Sequence, residues 1–237
     1  QLMHRLRRAG FDVVEYRNAD RYDYERTLIK DRSGKDGAAS RLVQWMRREY
    51  GVGERVEDKV GVPEADAQWV AEATVEADLR GVNTHGVMRL PIYTRRIMEG
   101  VVSPITDVQV ITESPGGRLL DGQNGQGQVV SREAMAMAME IAATQGVAAI
   151  TVRNSNHAGV AGLYAEQAAR AGMIGLYMTN GAPSIAPTGG REPMLGSNPM
   201  AIGIPTGGVY PVVLDFASTV VARANLLLAK TTGRPIP

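Results

Sequence analysis

The 237-residue chain sets 26 Lys and Arg against 25 Asp and Glu, a balance that argues against a nucleic-acid or membrane-surface protein. It has no cysteine, so disulfides, thiolate metal sites and cysteine nucleophiles are excluded, and aromatics at 5% make no stacking platform for single-stranded nucleic acid. No run is long enough to cross a bilayer, and QLMHRLRRAG turns charged before a signal-peptide core develops, so the expected location is cytoplasmic.

Residues 1–57 are rich in arginine and tyrosine. Leu2, Leu6 and Ala9 share a helical face that Gly10 ends, Phe11–Tyr16 and Thr27–Lys30 read as strands, and SGKDG breaks the chain before a helix at Ala38–Tyr50. This helix–strand–strand–helix module, GFDVVEYRNADRYDYERTLIKDRSG followed by an alanine-led helix, resembles the C-terminal domain of LytR-type cell-wall proteins.

From Val62 the composition changes. Pro63 opens a helix with Ala67, Val70, Ala71, Thr74 and Val75 on its apolar face; it runs to about Leu79, and Gly81 stops it ahead of NTHG. A second helix is expected over Met88–Met98. SPITDVQVITES, the turn PGG and RLLDG read as a hairpin. Next, GQNGQGQ (Gly122–Gln128) precedes a helix over Val130–Ala143 and looks like a phosphate cradle. Its spacing is G-x-x-G-x-G, however, and no acidic residue ends a strand about 20 residues further on, so a Rossmann domain is rejected. The alternate methionines of SREAMAMAMEIAA read as packing residues.

The rest is organised around Thr151–Gly162, TVRNSNHAGVAG. An apolar run, Val147–Ile150, reads as a buried strand before it, and LYAEQAARAG reads as a helix after it. At the junction stand Asn154, Ser155, Asn156, His157, Ala158 and Gly159, where small residues leave room for an imidazole to meet a ligand. A buried strand is expected at Met173–Asn180, further strands at Met200–Ile204 and Pro211–Thr219, the last ending in an Asp and two hydroxyls, and a short helix at Val220–Ala229. Polar residues close three strands, in NSNH, MTNG and LDFAST, and sheets place ligand-binding residues where strands stop.

ADLRGVNTHGVMRLPIYTRRIMEGVVSP, VRNSNHAGVAGLYA, MTNGAPSIAPTGGREPMLGSNPMAIGIP and VVLDFAST, in that order over about Val60–Pro237, together resemble the malate/L-lactate dehydrogenase family. The resemblance implies NAD or NADP held without a Rossmann domain, and usually a homodimer with its active site between domains. It implies an α/β (α+β) fold: a helical part at 58–104 and a mixed-sheet cofactor domain at 105–237, after the module at 1–57. There are departures from the family pattern. Thr84 stands at a usual serine, Ala158 at a usual aromatic, and Ala224–Asn225 at a frequent Gly–Lys pair, and family chains continue past the equivalent of Pro237. An inactive fragment serving as an interaction or cell-envelope module is therefore the alternative reading.

Reducing a 2-keto acid, or a related imine, requires a proton donor and a cation for the carboxylate. Histidine, with an ordinary pKa of about 6.5, suits the first task. His85 and His157 are expected to line one cavity, with their roles open, while His4 is read as structural. Arg89, four residues after His85, is expected to grip the carboxylate, with Thr84 beside the substrate. Cofactor candidates are Asn156, Asn180, Gly181 and the run Asp215, Phe216, Ala217, Ser218 and Thr219. Turn or cap roles compete at these positions, and Asp215 fits an N-cap before Ala217. No metal site is expected.

Overall fold

Pro63, with φ −56°, leads into α1 (Glu64–Leu79), and Gly81, with φ +76°, ends it, so the two local signals of this helix act where they stand. The computed structural model describes residues 13–18, 25–29 and 61–219, in two units, Gln1–Pro104 and Ile105–Pro237. His4 and the helices expected over residues 2–9, 38–50 and 220–229 lie outside the described residues.

In the first unit, β1 (Val13–Asn18) and β2 (Glu25–Ile29) pair antiparallel, each offset by two residues from its expected start. Helix α1 buries Val70, Thr74 and Val75, as its spacing predicts, together with Ala73 and Ala77; Ala67 and Ala71 are only half-buried. The helix expected from Met88 begins later. Two 3-10 turns, Asn83–His85 and Val87–Arg89, come first, and α2 (Leu90–Met98) follows with Pro91 in its first turn, where a missing N–H costs nothing.

Among its described residues the second unit holds two three-stranded sheets. The first has the order β3 (Gln109–Ser114), β4 (Gly117–Asp121), β5 (Ala149–Arg153). Strands β3 and β4 form the antiparallel hairpin around Pro115–Gly116. Helix α3 (Gly127–Gln145) then returns the chain to β5, which is parallel to β4, so the sheet is mixed. Gly146, at φ +83°, ends α3 in the left-handed conformation. Strand β5 differs from expectation: it starts at Ala149, runs through Arg153 and is largely exposed rather than buried. Among the described residues it is an outer strand, paired with β4 on one side only.

The second sheet, β6 (Gly175–Met178), β7 (Met200–Ile204) and β8 (Val212–Phe216), is antiparallel throughout. Helix α4 (Gly162–Arg170) covers one face of it, with Ala165, Ala201 and the neighbouring Ala161 packed together beside Tyr177. That face is built for close approach: a side chain on Gly175 would lie 2.5 Å from the Ala165 carbonyl oxygen. Leu176, Met178, Ile204, Val212, Leu214 and Phe216 are exposed, so the strand read as buried over Met173–Asn180 is shorter and, among the described residues, covered on one face only, and the strand read over Pro211–Thr219 is likewise shorter. Alternation along a strand sends successive side chains to opposite faces, and α4 meets just one of them.

Candidate active site

The NTHG turn of the first unit is built almost entirely from backbone. His85 N–H donates to the Val82 carbonyl at 2.9 Å, Gly86 N–H to Asn83 at 3.1 Å and Arg89 N–H to Gly86 at 2.9 Å. On this ladder Thr84 Oγ1 lies 2.9 Å from His85 Nδ1, and Arg89 Nε donates to the Thr84 carbonyl at 2.7 Å. Thr84, His85 and Arg89 are thus brought together, with the guanidinium fixed in direction. Burial of the imidazole, and then the Arg89 charge, push His85 down to about 4. It is neutral at physiological pH. Arg80 pairs with Glu76 at 2.9 Å, and Asp78 turns to the loop instead: its Oδ2 accepts Val87 N–H at 2.9 Å.

In the second unit the glycine-rich turn and the central junction are laced together. Asp121 is buried at the end of β4 and accepts from Gln123 N–H at 2.9 Å, Arg153 Nε at 2.8 Å and Asn154 Nδ2 at 2.8 Å. The Gln123 N–H, ahead of the Arg153 and Asn154 donors, holds the Asp121 carboxyl below the usual carboxylate range, against burial. Asn156 Nδ2 faces three acceptors, the Asn124 carbonyl at 3.0 Å, Asn124 Oδ1 at 3.0 Å and the Gly125 carbonyl at 2.9 Å. The N-terminus of α3 is not an open phosphate cradle. A side chain on Gly127 would overlap the Asn156 carbonyl and lie 2.6 Å from the His157 carbonyl oxygen. His157 is exposed, and its Nδ1 accepts Gly159 N–H at 3.2 Å, which leaves the ring proton of the neutral form on Nε2. Tyr164 donates to the Ala158 carbonyl, and its ring lies 4.7 Å from that of Tyr177, tilted by 37°; the Tyr177 hydroxyl meets Ser131 Oγ at 2.8 Å.

A third cluster forms where β6 and β8 end and β7 begins, since Met178, Met200 and Phe216 are register partners. Gly181 N–H donates to Asn198 Oδ1 at 3.0 Å, and the backbone N–H and hydroxyl of Ser218 both donate to the Ser197 carbonyl, at 3.0 and 2.9 Å. Asn180, Gly181, Ala217, Ser218 and Thr219 therefore stand at one sheet end, with Asn180 and Ser218 exposed. Ser197 and Asn198, outside the residues expected from the sequence, belong there too; Asn198, at φ +39°, makes a turn whose sequence sign is the Asn-Pro dipeptide. Asp215 is turned to another task, accepting the Gly162 N–H at the start of α4. Among the described residues, no group of three or more His, Asp and Glu side chains is gathered as a metal would need, and no helix is long and apolar enough to cross a membrane.

These features define a mixed α/β protein with polar strand ends and, on a helical unit, a histidine–arginine turn. Residues 51–237 match the malate/L-lactate dehydrogenase family, and the chain belongs to it. It is 47% identical over 183 residues to a malate dehydrogenase of Pyrococcus abyssi, covering 77% of this chain and 50% of that protein. To an L-sulfolactate dehydrogenase of Methanocaldococcus jannaschii it is 42% identical over 179 residues, 76% of this chain and 52% of that one. The solved structure of malate dehydrogenase from Pyrococcus horikoshii OT3 aligns with a TM-score of 0.72 at 45% identity, over 79% of this chain and 52% of the other. The chain spans about half the length of the curated relatives it matches.

Proposed function

We propose that the chain acts as an NAD- or NADP-dependent oxidoreductase that interconverts a small 2-hydroxy acid and its 2-keto acid, as a cytoplasmic homodimer. The observation that carries this reading is the Thr84–His85–Arg89 turn. A carbonyl beside a carboxylate needs a fixed cation and a proton-carrying group next to each other, and this turn holds both. The terminal nitrogens of Arg89 bind the carboxylate through paired hydrogen bonds, while its Nε keeps the guanidinium oriented on Thr84. In the oxidation direction neutral His85 takes the substrate hydroxyl proton on Nε2, and in reduction the imidazolium returns that proton to the developing alkoxide. The Thr84 hydroxyl either donates to Nδ1 or accepts from it, so it serves both tautomers. A substrate carboxylate on Arg89 offsets one of the two causes that depress His85, which makes the imidazole a better base when substrate is bound.

The exposed amide and hydroxyl groups at the β6 and β8 ends suit a dinucleotide, whose carboxamide, ribose and pyrophosphate all take hydrogen bonds. Asn180, Gly181, Ser218 and Thr219 would hold it, with Asp215, Phe216 and Ala217 shaping the approach and Asn156 and His157 contributing from the junction. Nicotinamide bound there would supply the hydride for the substrate carbon, or accept it. His157 presents Nε2–H as a hydrogen-bond donor, since its Nδ1 is held by Gly159.

The test is to titrate NADH and NADPH into the purified chain while following nicotinamide fluorescence, then add pyruvate or oxaloacetate. Binding followed by keto-acid-dependent oxidation, lost in His85→Gln and Arg89→Met, is expected; no binding at millimolar cofactor overturns the reading. The dehydrogenase relatives do not favour the alternative of an inactive interaction module. The LytR-type reading of residues 1–57 stands beside this one as a separate proposal, because the family match begins at residue 51.

A further inference from the structure

The 3-10 ladder carrying His85 and Arg89 is made of short i to i+3 bonds, a poor geometry for holding two side chains to catalytic tolerance. Asp78, in the last turn of α1, ties it down from outside. Its Oδ2 accepts Val87 N–H, which lies midway between the two residues. Its carboxylate also fills the space beside Gly86: a side chain there would overlap all three carboxylate atoms. Gly86 has φ −81°, an ordinary value for any residue, so what rules out a side chain here is the carboxylate and not the backbone. Building on the function proposed above, we propose that Asp78 is a positioning residue that seats the His85–Arg89 pair on α1 through Val87 N–H and the open flank of Gly86. Burial, outweighing the Val87 bond, pushes the Asp78 carboxyl up, so holding it charged in this place is a cost the fold carries.

Two readouts test this, one of which needs no turnover. The first is the titration of the His85 imidazole by NMR, picked out from the chain's three histidines by its loss in His85→Gln. Loss of the Asp78 charge alone would lower the His85 midpoint; loosening of the turn lets water in and raises it. Asp78→Ala is expected to raise it by more than one unit from about 4 and to lower kcat/KM for the keto acid about 10²-fold, the scale of a misplacement near 1 Å. Asp78→Asn keeps an oxygen for Val87 N–H, so it returns the midpoint to the wild-type value or below and brings kcat/KM to within about tenfold of wild type. Gly86→Ala reproduces the Asp78→Ala defect in the wild-type background and adds little to it in the Asp78→Ala background, since the clashing partner is gone.

A folded Asp78→Ala chain with an unchanged or lowered His85 midpoint overturns the proposal. If the alanine chain loses its far-UV helix signal, Asp78→Asn and Asp78→Glu decide. Glu is too long for the space at Gly86 and should raise the midpoint; equal midpoints in the two overturn the proposal. A wild-type chain without keto-acid turnover, but with the midpoints moving as described, sinks the enzyme reading and leaves the seating of the pair supported.

Discussion

Asp215 Oδ2 accepts the backbone N–H of Gly162 at 2.7 Å, so a carboxylate near the end of β8 sits on the first residue of α4, a helix that starts 53 residues earlier in the chain. From the sequence the position reads as a cofactor contact or as an N-cap before Ala217. The bond it makes is the same kind of interaction on a different helix: a negatively charged acceptor against the amide of the helix's first residue. A side chain at 162 would lie 2.9 Å from that same oxygen, which is why glycine stands there.

Asp215→Asn keeps an oxygen for the Gly162 N–H and loses the charge, so it should lower the free energy of urea unfolding by about 0.3–1 kcal/mol. Asp215→Ala removes the acceptor as well and should cost about 1–2 kcal/mol. Nicotinamide titration of the same variants reads the second role proposed for this residue. A rise in the NADH Kd of Asp215→Asn is expected, and its absence would confine Asp215 to the helix.

His85 gives the stability a pH dependence of known sign. In the unfolded chain the imidazole takes a proton below about 6.5; in the folded chain it stays neutral down to about 4. Between those values the unfolded state binds more protons, so stability falls as pH falls from 6.5 to 4, by on the order of 3 kcal/mol at the lower limit. Urea midpoints of wild type and His85→Gln, compared at pH 7, 5.5 and 4.5, should show the slope in the first and its loss in the second. Arg89→Met removes one of the two depressing causes and should shift the His85 midpoint upward. It should also raise KM for the keto acid, with kcat/KM down about 10- to 100-fold for a lost charged hydrogen bond.

Asn156 yields a prediction that runs against size. Its amide nitrogen donates toward three acceptors, all within 3.0 Å, on Asn124 and Gly125. Asn156→Ala leaves those acceptors with one partner fewer and should cost about 1–3 kcal/mol. Asn156→Asp is the closer match in shape, but it has no donor when ionised and sets a negative charge against three oxygens. At pH 7 the aspartate chain should unfold at lower urea than the alanine chain.

What could be read from the sequence was local. Helix α1 lies between a proline and a glycine, the β3–β4 hairpin turns at Pro115–Gly116, and Thr84, His85 and Arg89 fall within one short segment. The one-sided burial of β6 and β8 could not be read, because an apolar run says that a face suits cover and not which faces receive it. Nor could the ties that shape the site: Asp78 to Val87, Asp121 to Asn154, Asn198 to Gly181. Each joins two elements or loops whose approach is set by packing, and no spacing rule connects the partners. The same holds for Gly127, whose tight contact is with carbonyls from the junction rather than with a phosphate.

Gly203 puts the packing of α4 on the second sheet to a direct test. A side chain there would overlap the Ala165 carbonyl oxygen and lie 2.6 Å from its carbon, backbone atoms with no rotamer to escape into. Its φ is not left-handed, so alanine would otherwise stabilise by about 0.4–1 kcal/mol through the unfolded chain. Overpacking of a tight contact costs about 1–3 kcal/mol, and the overlap should win. Gly207 is the matched control: its φ is also not left-handed and nothing stands within 4 Å of a side chain there, so Gly207→Ala should be neutral or slightly stabilising. Urea midpoints for the two variants should fall on opposite sides of wild type or nearly so, with Gly203→Ala clearly the lower. If Gly203→Ala unfolds at the same urea concentration as Gly207→Ala, α4 does not sit on β7 at this distance, and the carboxylate of Asp215 loses its reason to meet Gly162.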